Sequence, residues 1–457
     1  MQIPPFGFGP SEAFKQVSQW LGNPALNHAI KEAAQKLGIK EVPSTASVQE
    51  ILRQAGKWLE KAASPYFSED GSQTQRPLEN GINATGELFN PRWTAQPLSP
   101  NACALAAYLH AGYSQDAQVA HDLQKTIIAA SGAADALVIA NIPTALQLVV
   151  KAWMHDHPQA NPQVILPRIA CMRVPVSGNP NGVQIRSLID ATGAHTLEIG
   201  SNTDCLHDDY AKATALHSQS LIFQATPIAT ENDTFAAIEH AKSSQSTVCT
   251  LALDASIVDL DWADAKTPSM TRLWDGGPDL VIAPTQYLLG GPQAAVILGK
   301  KDAIQRIRIH ADQLGAYADR ITQALLHCTL SDSLRPDGWA KSPVGAILST
   351  SIENLENRAQ RIAIQIQGNH AIAKTEIVTL NQRIGTGLWQ SLKLPSSVIK
   401  VYPKSMSVAK LSETLAEHRP SIWTQVFSDH LALVLRSVEP ADDTQIVQAL
   451  TSLESLP

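Results

Sequence analysis

Cysteine is scarce in this sequence, and the cysteines that are present form no motif. The 457 residues include 5 cysteines, which lie far apart in the chain and contain no C-x-x-C pair. They are Cys103, Cys171, Cys205, Cys249 and Cys328. An odd, scattered set in a chain of this length is typical of reduced thiols in a cytosolic protein rather than of a disulfide framework. We therefore expect a cytoplasmic protein.

Long apolar runs and a surplus of basic charge are also missing. No apolar run reaches the ~18 residues of a membrane-spanning helix, and Pro4 and Pro5, close to Met1, do not fit a signal peptide. The formal net charge is −7, whereas a nucleic-acid-binding protein normally carries clustered Lys and Arg side chains around phosphate. Residues 1–75 contain seven basic and seven acidic side chains. We expect no membrane association and at most weak binding of tRNA.

The bulk composition is that of a soluble globular protein. Hydrophobic residues make up 44% and charged residues 17% of the chain, which is ordinary for folded proteins. The length predicts two or three domains of about 150 residues each. Residues 11–62 read as helices, because apolar side chains recur at three- and four-residue steps over residues 47–62. A polar, turn-rich linker follows over residues 64–75, so we predict a helical N-terminal segment at residues 1–75.

Strand-sized apolar runs alternate with helix-sized segments over the next part of the chain, predicted as a large domain at residues 76–330. This alternation indicates an α/β fold with a mainly parallel sheet covered on both faces. In such sheets ligands bind beyond the carboxyl ends of the strands. The predicted strands are Ala136–Ala140, Val164–Leu166, Thr196–Ile199, Ser220–Gln224, Val248–Leu253, Leu280–Ala283 and Ala294–Leu298, and the predicted helices include Thr144–His155 and Asp233–Lys242.

The pattern changes after Leu330, where a helix is followed by several separated strands. We predict a helix at Ile352–Gln367 and strands at Glu376–Leu380, Ile399–Tyr402, Trp423–Phe427 and Leu431–Leu435. This arrangement indicates a small α+β C-terminal domain at residues 331–457.

Three motifs, in order and in register, carry a resemblance to a known family. Residues 82–86 read I-N-A-T-G, Glu198-Ile199-Gly200 is followed by an Asp-Tyr pair, and residues 288–301 read L-L-G-G-P-Q-A-A-V-I-L-G-K-K. They resemble the I-N-A-T-G, E-V-G-T-T-N-R-T-H-L-R-D-Y and S-G-D-K-L-L-G-G-P-Q segments of selenocysteine synthases (L-seryl-tRNA selenium transferases). The resemblance covers the chain from about Pro77 to the C-terminus. It implies a fold type I pyridoxal-phosphate (PLP) transferase fold, similar to aminotransferases, and at least a homodimer.

A PLP enzyme of this fold needs a lysine for the internal aldimine, a carboxylate on the pyridine nitrogen, and donors for the phosphate. Asp254 follows the strand Val248–Leu253 and matches the family's aspartate in D-L-G-S-G; the alternative is a strand-end aspartate that caps a turn. Asn141 and Thr144 match the family's N-N-N-A-A-A turn and could donate to an anion at a helix N-terminus, but their residue types favour helix capping.

The lysine is absent. The alignment places Tyr287 at the position of the family's lysine and Gln286 at the preceding aspartate. A phenol cannot condense with an aldehyde, so no catalytic residue is assigned there. Lys300 and Lys301 do not substitute for it, because the family carries the same G-K-K pair beside its catalytic lysine. The cofactor-binding candidates are therefore Asp254, Gln286, Tyr287, Asn141 and Thr144, and PLP is expected to bind, if at all, without a covalent bond.

Other departures from the family weaken anion binding. The family arginine of G-T-T-N-R falls on Asp204, and its T-N-L-G-R turn is replaced by residues 91–95, where Arg92 is displaced. A basic stretch after Tyr113 and Ser114 is deleted. These losses favour a degenerate homologue without PLP Schiff-base catalysis, which serves as a binding or regulatory protein for a partner or a small anionic ligand. The retained Asp254 keeps the alternative open: an active L-seryl-tRNA selenium transferase or an amino-acid lyase with an atypical site.

Two clusters of metal-ligand residue types also appear. One is the His155-Asp156-His157 run, and the other combines Cys205, His207, Asp208 and Asp209. The first reads as a loop after a helix, and the second overlaps the family's Asp-Tyr motif. We expect no metal at either.

Overall fold

The structure, a computed structural model, describes residues 81–90, 96–110, 116–158, 163–176, 179–202, 205–216, 219–226, 238, 241, 244–262, 266–385, 389 and 392–453. Residues 82–418 and 422–457 belong to one compact unit. The predicted N-terminal helical segment, residues 1–75, and most of the predicted helix Asp233–Lys242 lie outside the described residues. The domain boundaries at residues 75 and 330 stay predictions.

A seven-stranded sheet forms the centre of the large domain, in the strand order β2-β12-β11-β8-β7-β3-β6. The strands are β2 (Asp135–Ile139), β3 (Gln163–Pro167), β6 (His195–Ile199), β7 (Leu221–Thr226), β8 (Thr247–Ala252), β11 (Leu280–Pro284) and β12 (Ala295–Gly299). Six of them run in the same direction, and β12 runs antiparallel to both of its neighbours, β2 and β11. The predicted strands and the mainly parallel sheet are confirmed.

Helices cover both faces of this sheet because its strands are almost fully apolar. The pattern is continuous burial along β11 and β12 rather than alternation, as expected for a sheet covered on both sides. The helices are α1 (Pro100–His110), α2 (Asp116–Ser131), α3 (Ile142–Asp156), α4 (Ile185–Asp190), α5 (His207–Leu216), α6 (Met270–Asp275), α7 (Lys301–Leu314), α8 (Arg320–Ser333), α9 (Gly338–Lys341) and α10 (Pro343–Ser349). Two hairpins flank the sheet: β4 (Arg173–Val176) with β5 (Asn179–Gln184), and β9 (Leu260–Asp261) with β10 (Lys266–Thr267).

A second sheet of five strands belongs to the C-terminal part of the chain, in the order β1-β15-β16-β14-β13. Its strands are β1 (Gly81–Ala84), β13 (Ile372–Arg383), β14 (Lys393–Pro403), β15 (Ser421–Val426) and β16 (Leu431–Val434), and its helices are α11 (Ile352–Ile366), α12 (Val408–Glu417) and α13 (Asp443–Thr451). The predicted helix and strands are present, and β13 and β14 extend well beyond the predicted runs. The contribution of β1 to this sheet was not predicted.

None of the helices in the described ranges combines the length and the apolar character that crossing a bilayer requires.

Candidate functional site

The register of the large sheet brings the predicted site residues to one edge. Ile282 of β11 lies opposite Leu251 of β8 in a parallel pair, so the residues that follow these strands, among them Asp254 and Tyr287, leave the sheet on the same side. Ala295 of β12 pairs both with Pro284 of β11 and with Ile139 of β2. The carboxyl end of β2, and with it Asn141, therefore reaches the same edge.

Asp254 is buried at this edge and accepts two side-chain hydroxyls. It is 1% exposed. Thr226, the last residue of β7, donates to Oδ1 of Asp254, and Thr267 of β10 donates to Oδ2 at 3.0 Å. The indole Nε1 of Trp262 in turn donates to Oγ1 of Thr267 at 2.8 Å. Both carboxylate oxygens are therefore in use, one toward the neighbouring strand and one toward the β9–β10 hairpin.

Burial dominates the electrostatics of Asp254. Removal from water raises the pKa of the carboxyl group above its ordinary value, and the hydrogen bonds from Thr226 and Thr267 offset this only in part. Within the described part of the chain, the groups that lower this pKa are neutral hydrogen-bond donors: the two hydroxyls and a backbone N–H.

The side chain of Tyr287 is buried and makes aromatic contacts. The ring is 6% exposed and meets Phe89 at a centroid distance of 5.7 Å and Trp389 at 5.2 Å, both edge-on. Phe89 and Trp389 contact each other at 4.4 Å. Burial raises the pKa of the Tyr287 phenol strongly, opposed by a hydrogen bond from the side chain of Gln286. The phenol is therefore neutral at physiological pH.

Gln286 carries an unsatisfied acceptor beside this phenol. The residue is 3% exposed, and among the described residues its Oε1 has no hydrogen-bond partner. Its backbone carbonyl accepts from the N–H of Gln96 at 3.4 Å. A buried amide oxygen without a donor costs free energy, so Gln286 is held in place by its surroundings rather than by its own side-chain oxygen.

The glycines of the L-L-G-G motif have structural roles. Gly290 adopts φ 66° and donates its N–H to the carbonyl of Tyr287 at 3.0 Å, closing a tight turn. A Cβ on Gly291 would lie 2.8 Å from Cδ1 of Leu326. Gly290 therefore suits the positive φ of the turn, and Gly291 allows the close packing against α8.

Asn141 is the N-cap of α3. Its Oδ1 accepts from the N–H of Thr144 at 2.9 Å, and Pro143 occupies the first turn. Asn141 therefore performs the capping function that its position allowed. Anion binding by Asn141 or by the half-buried Thr144 stays a prediction.

Lys300 lies at the other edge of the sheet. Its Nζ pairs with Oδ1 of Asp279 at 3.2 Å, and Asp279 immediately precedes β11, whereas Tyr287 follows that strand. The length of β11 therefore separates Lys300 from Tyr287.

The second family anchor, Glu198, is part of an ion-pair network at the carboxyl end of β6. It pairs with Arg168 at 3.3 Å and with Arg186 at closer range. Burial alone would raise the pKa of Glu198, but hydrogen bonds from the two arginines hold it below its usual value. The anchor is therefore preserved by a salt-bridge network.

The other predicted positions either lie outside the described residues or make contacts of their own. Asp204, residues 91–95 with Arg92, and residues 111–115 lie outside the described residues. Asp156 is paired with Arg306, and His157 contacts the carbonyl of Trp153 at 2.9 Å. Within the described ranges no group of three or more His, Cys, Asp or Glu side chains is placed to hold a metal ion.

The sequence interpretation missed Phe89, Trp389, Thr226, Thr267 and Trp262. Thr226 lies two residues beyond the predicted strand Ser220–Gln224, and residues just after the strands were the ones to inspect; this was the signal available for Thr226. The others reach the site from separate segments, and nothing in their local pattern indicates their partners.

The fold defined by this sheet and edge is that of fold type I PLP enzymes. The solved structure of D-glucosaminate-6-phosphate ammonia-lyase matches with a TM-score of 0.59 at 14% identity, over 82% of this chain and 96% of that chain. A sequence model of the family described as L-seryl-tRNA selenium transferase matches residues 104–439. The chain belongs to this family.

Individual relatives agree with this assignment. An L-seryl-tRNA(Sec) selenium transferase from Carboxydothermus hydrogenoformans is 24% identical over 379 residues, which is 79% of each chain. Another from Hyphomonas neptunium is 25% identical over 401 residues, or 82% of each chain. The family resemblance found in the sequence is confirmed.

Proposed function

We propose that this chain is a member of the family that performs no PLP Schiff-base catalysis and acts as a binding or regulatory homologue. The observation that carries the proposal is Tyr287: the position of the family's lysine holds a buried phenol packed edge-on against Phe89 and Trp389. A phenol forms no imine, so the covalent anchor of the cofactor does not fit.

The ring-nitrogen site also fits poorly. PLP acts as an electron sink when a carboxylate stabilises its protonated pyridine nitrogen. Asp254 already accepts hydroxyls from Thr226 and Thr267 and is 1% exposed. A pyridine ring would have to displace part of this packing. Non-covalent PLP or a small anionic ligand would therefore depend on the N-terminus of α3, around Asn141 and Thr144.

The proposal extends to partners and location. We infer a homodimer or larger homo-oligomer from the family, and cytoplasmic location from cysteines that are few, odd in number and scattered in the sequence. The net charge of −7 and the neutral segment 1–75 support weak tRNA binding at most. Sedimentation as a monomer at micromolar concentration would contradict the first inference, and tight, salt-sensitive binding to seryl-tRNA would contradict the last.

The second candidate is an active PLP-dependent enzyme with an atypical site. Asp254 favours it, because the carboxylate that this chemistry needs is retained after β8. Such an enzyme would require a lysine from another part of the chain to reach the same edge. The two candidates therefore differ in whether any lysine at this edge forms an imine with PLP.

Borohydride reduction tests the proposal directly. The full chain is incubated with PLP, reduced, digested and mapped by mass spectrometry, with exposed Lys300 as the measure of non-specific labelling. We expect no aldimine absorbance band, and no lysine labelled above the level of Lys300. A pyridoxyl group introduced stoichiometrically on one lysine, and abolished by a competing PLP analogue, would establish the active enzyme instead.

A further inference from the structure

Three segments that are far apart in the sequence meet around Tyr287. Backbone N–H groups of Leu88 and Phe89 both donate to the carbonyl of Ile384, at 2.7 and 3.0 Å. Phe89 also forms an isolated parallel bridge with Gly385. The segment after β1 is thus tied to the connection between β13 and β14.

Gln96 ties the same segment to the loop after β11. Its side-chain Nε2 donates to the carbonyl of Leu88 at 2.6 Å, and its backbone N–H donates to the carbonyl of Gln286 at 3.4 Å. Gln96 is itself buried. Gln96 therefore links the loop that carries Tyr287 to the segment of Phe89, in addition to the contact between the two rings.

The described residues between β13 and β14 pack closely around Phe89 and Trp389. Ile384 and Leu392 are joined by a backbone hydrogen bond of 3.1 Å, and Leu392 donates to the carbonyl of Trp389 at 3.2 Å. A Cβ on Gly385 would lie 2.3 Å from the carbonyl oxygen of Phe89 and 2.6 Å from Cβ of Trp389. Only glycine lets the backbone approach this closely.

We infer that Phe89, Tyr287 and Trp389 form a cluster of packed rings, called here the aromatic lock. Its contacts hold the described residues between β13 and β14 against the carboxyl edge of the large sheet. Tyr287 is the member contributed by that edge, and it contacts both of the other rings. The residue at the family's lysine position has thus become a conformational element. This inference goes beyond the proposed function and does not depend on whether any ligand binds.

Amide hydrogen exchange of the full chain tests the lock, because local opening free energies are read residue by residue. In Tyr287→Ala, the amides of Phe89, Ile384 and Leu392 should exchange about tenfold faster or more, since two edge-on ring contacts are lost together. In Tyr287→Phe, which keeps both ring contacts but loses the hydrogen bond with Gln286, the acceleration should be clearly smaller than in Tyr287→Ala.

Phe223→Ala is the matched control, because Phe223 is a buried ring of the same core that lies in β7, a strand separated from β11 by β8. It should lower global stability without selectively accelerating those three amides. If Tyr287→Ala does not fold, Tyr287→Leu replaces it, because leucine keeps apolar volume without the ring. Acceleration no larger than in Phe223→Ala would overturn the inference, and so would a Tyr287→Phe variant that exchanges as fast as the alanine variant. Formation of an aldimine would refute the proposed function and leave this result unaffected.

Discussion

The phenol ring of Tyr287 meets the indole of Trp389 edge-on, with centroids 5.2 Å apart at an interplanar angle of 62°. Edge-on contact is a favourable geometry for two aromatic rings. At the position predicted for the family's lysine, the chain therefore has a well-packed aromatic side chain whose surroundings suit it.

Restoring the lysine should not restore the cofactor site. In Tyr287→Lys, alone or with Gln286→Asp, we expect at most a weak aldimine band on addition of PLP. The new ammonium would lie among apolar rings, which costs about 3 kcal/mol in stability, and Asp254 would still be held by Thr226 and Thr267. Absorbance spectra and urea unfolding measure both effects. Stoichiometric aldimine formation by the single variant would show that only the lysine had been lost.

Asp254→Asn should gain stability relative to the natural protein as pH rises. Burial raises the pKa of Asp254 in the folded state, whereas the unfolded carboxyl titrates near about 3.9. The folded protein therefore binds this proton more tightly, and stability falls as pH increases from about 4 through the folded pKa. Asparagine does not titrate. The difference in Tm between variant and natural protein should move in favour of the variant with rising pH, and a pH-independent difference would refute the shift.

Substitution of Asn141 should separate capping from charge. Asn141→Ala removes the acceptor for the N–H of Thr144 and should cost about 1 kcal/mol in urea unfolding. Asn141→Asp keeps the acceptor and places a negative charge at the N-terminus of α3, so its stability should stay within about 0.5 kcal/mol of the original or rise slightly. Equal destabilisation by both substitutions would contradict the capping role.

Arg436→Lys should be strongly destabilising although the charge is retained. The buried guanidinium donates to the carbonyls of Pro395, Ile347 and Thr350 at 2.8, 3.1 and 3.0 Å, and burial lowers the pKa of Arg436 to about 10. An ammonium group cannot reproduce this planar set of donors, so we expect a loss of about 2 kcal/mol in urea unfolding.

Arg335→Lys is the control for that substitution, because the Arg335 side chain is 70% exposed and pairs with nearby Asp332. It should change stability by less than about 0.5 kcal/mol. Similar effects of the two substitutions would show that the carbonyl contacts of Arg436 are unimportant.

Short apolar runs in the sequence were sufficient to locate the strands of the large sheet. The predicted run Leu280–Ala283 is one residue shorter than β11. In a sheet covered on both faces the strands are continuous apolar runs, so the end of the run marks the end of the strand. The same run placed Tyr287 just beyond the carboxyl end. Local pattern thus indicated the edge at which the candidate residues lie.

Partners across the fold could not be predicted in this way. Phe89 contacts Tyr287 from a segment near the start of the described chain, and Trp389 reaches it from the connection between β13 and β14. Thr267 reaches Asp254 from a two-residue strand, too short for any period to show. A sequence pattern reports that a side chain is buried, but not which distant side chain it is buried against.

The position of β12 has a consequence for the order in which the chain assembles during synthesis. β12 lies antiparallel between β2 and β11, so β2 and β11 each present an open backbone edge until residues 295–299 have left the ribosome. Exposed strand edges can pair with other chains. β2 and β12 are far apart in the sequence, and pairing between such distant strands is slow. The edge that carries Asn141 and Tyr287 is thus completed only when β12, which directly follows β11 in the chain, also pairs with the much earlier β2. A nascent chain stalled before residue 295 would carry both strands without their shared neighbour.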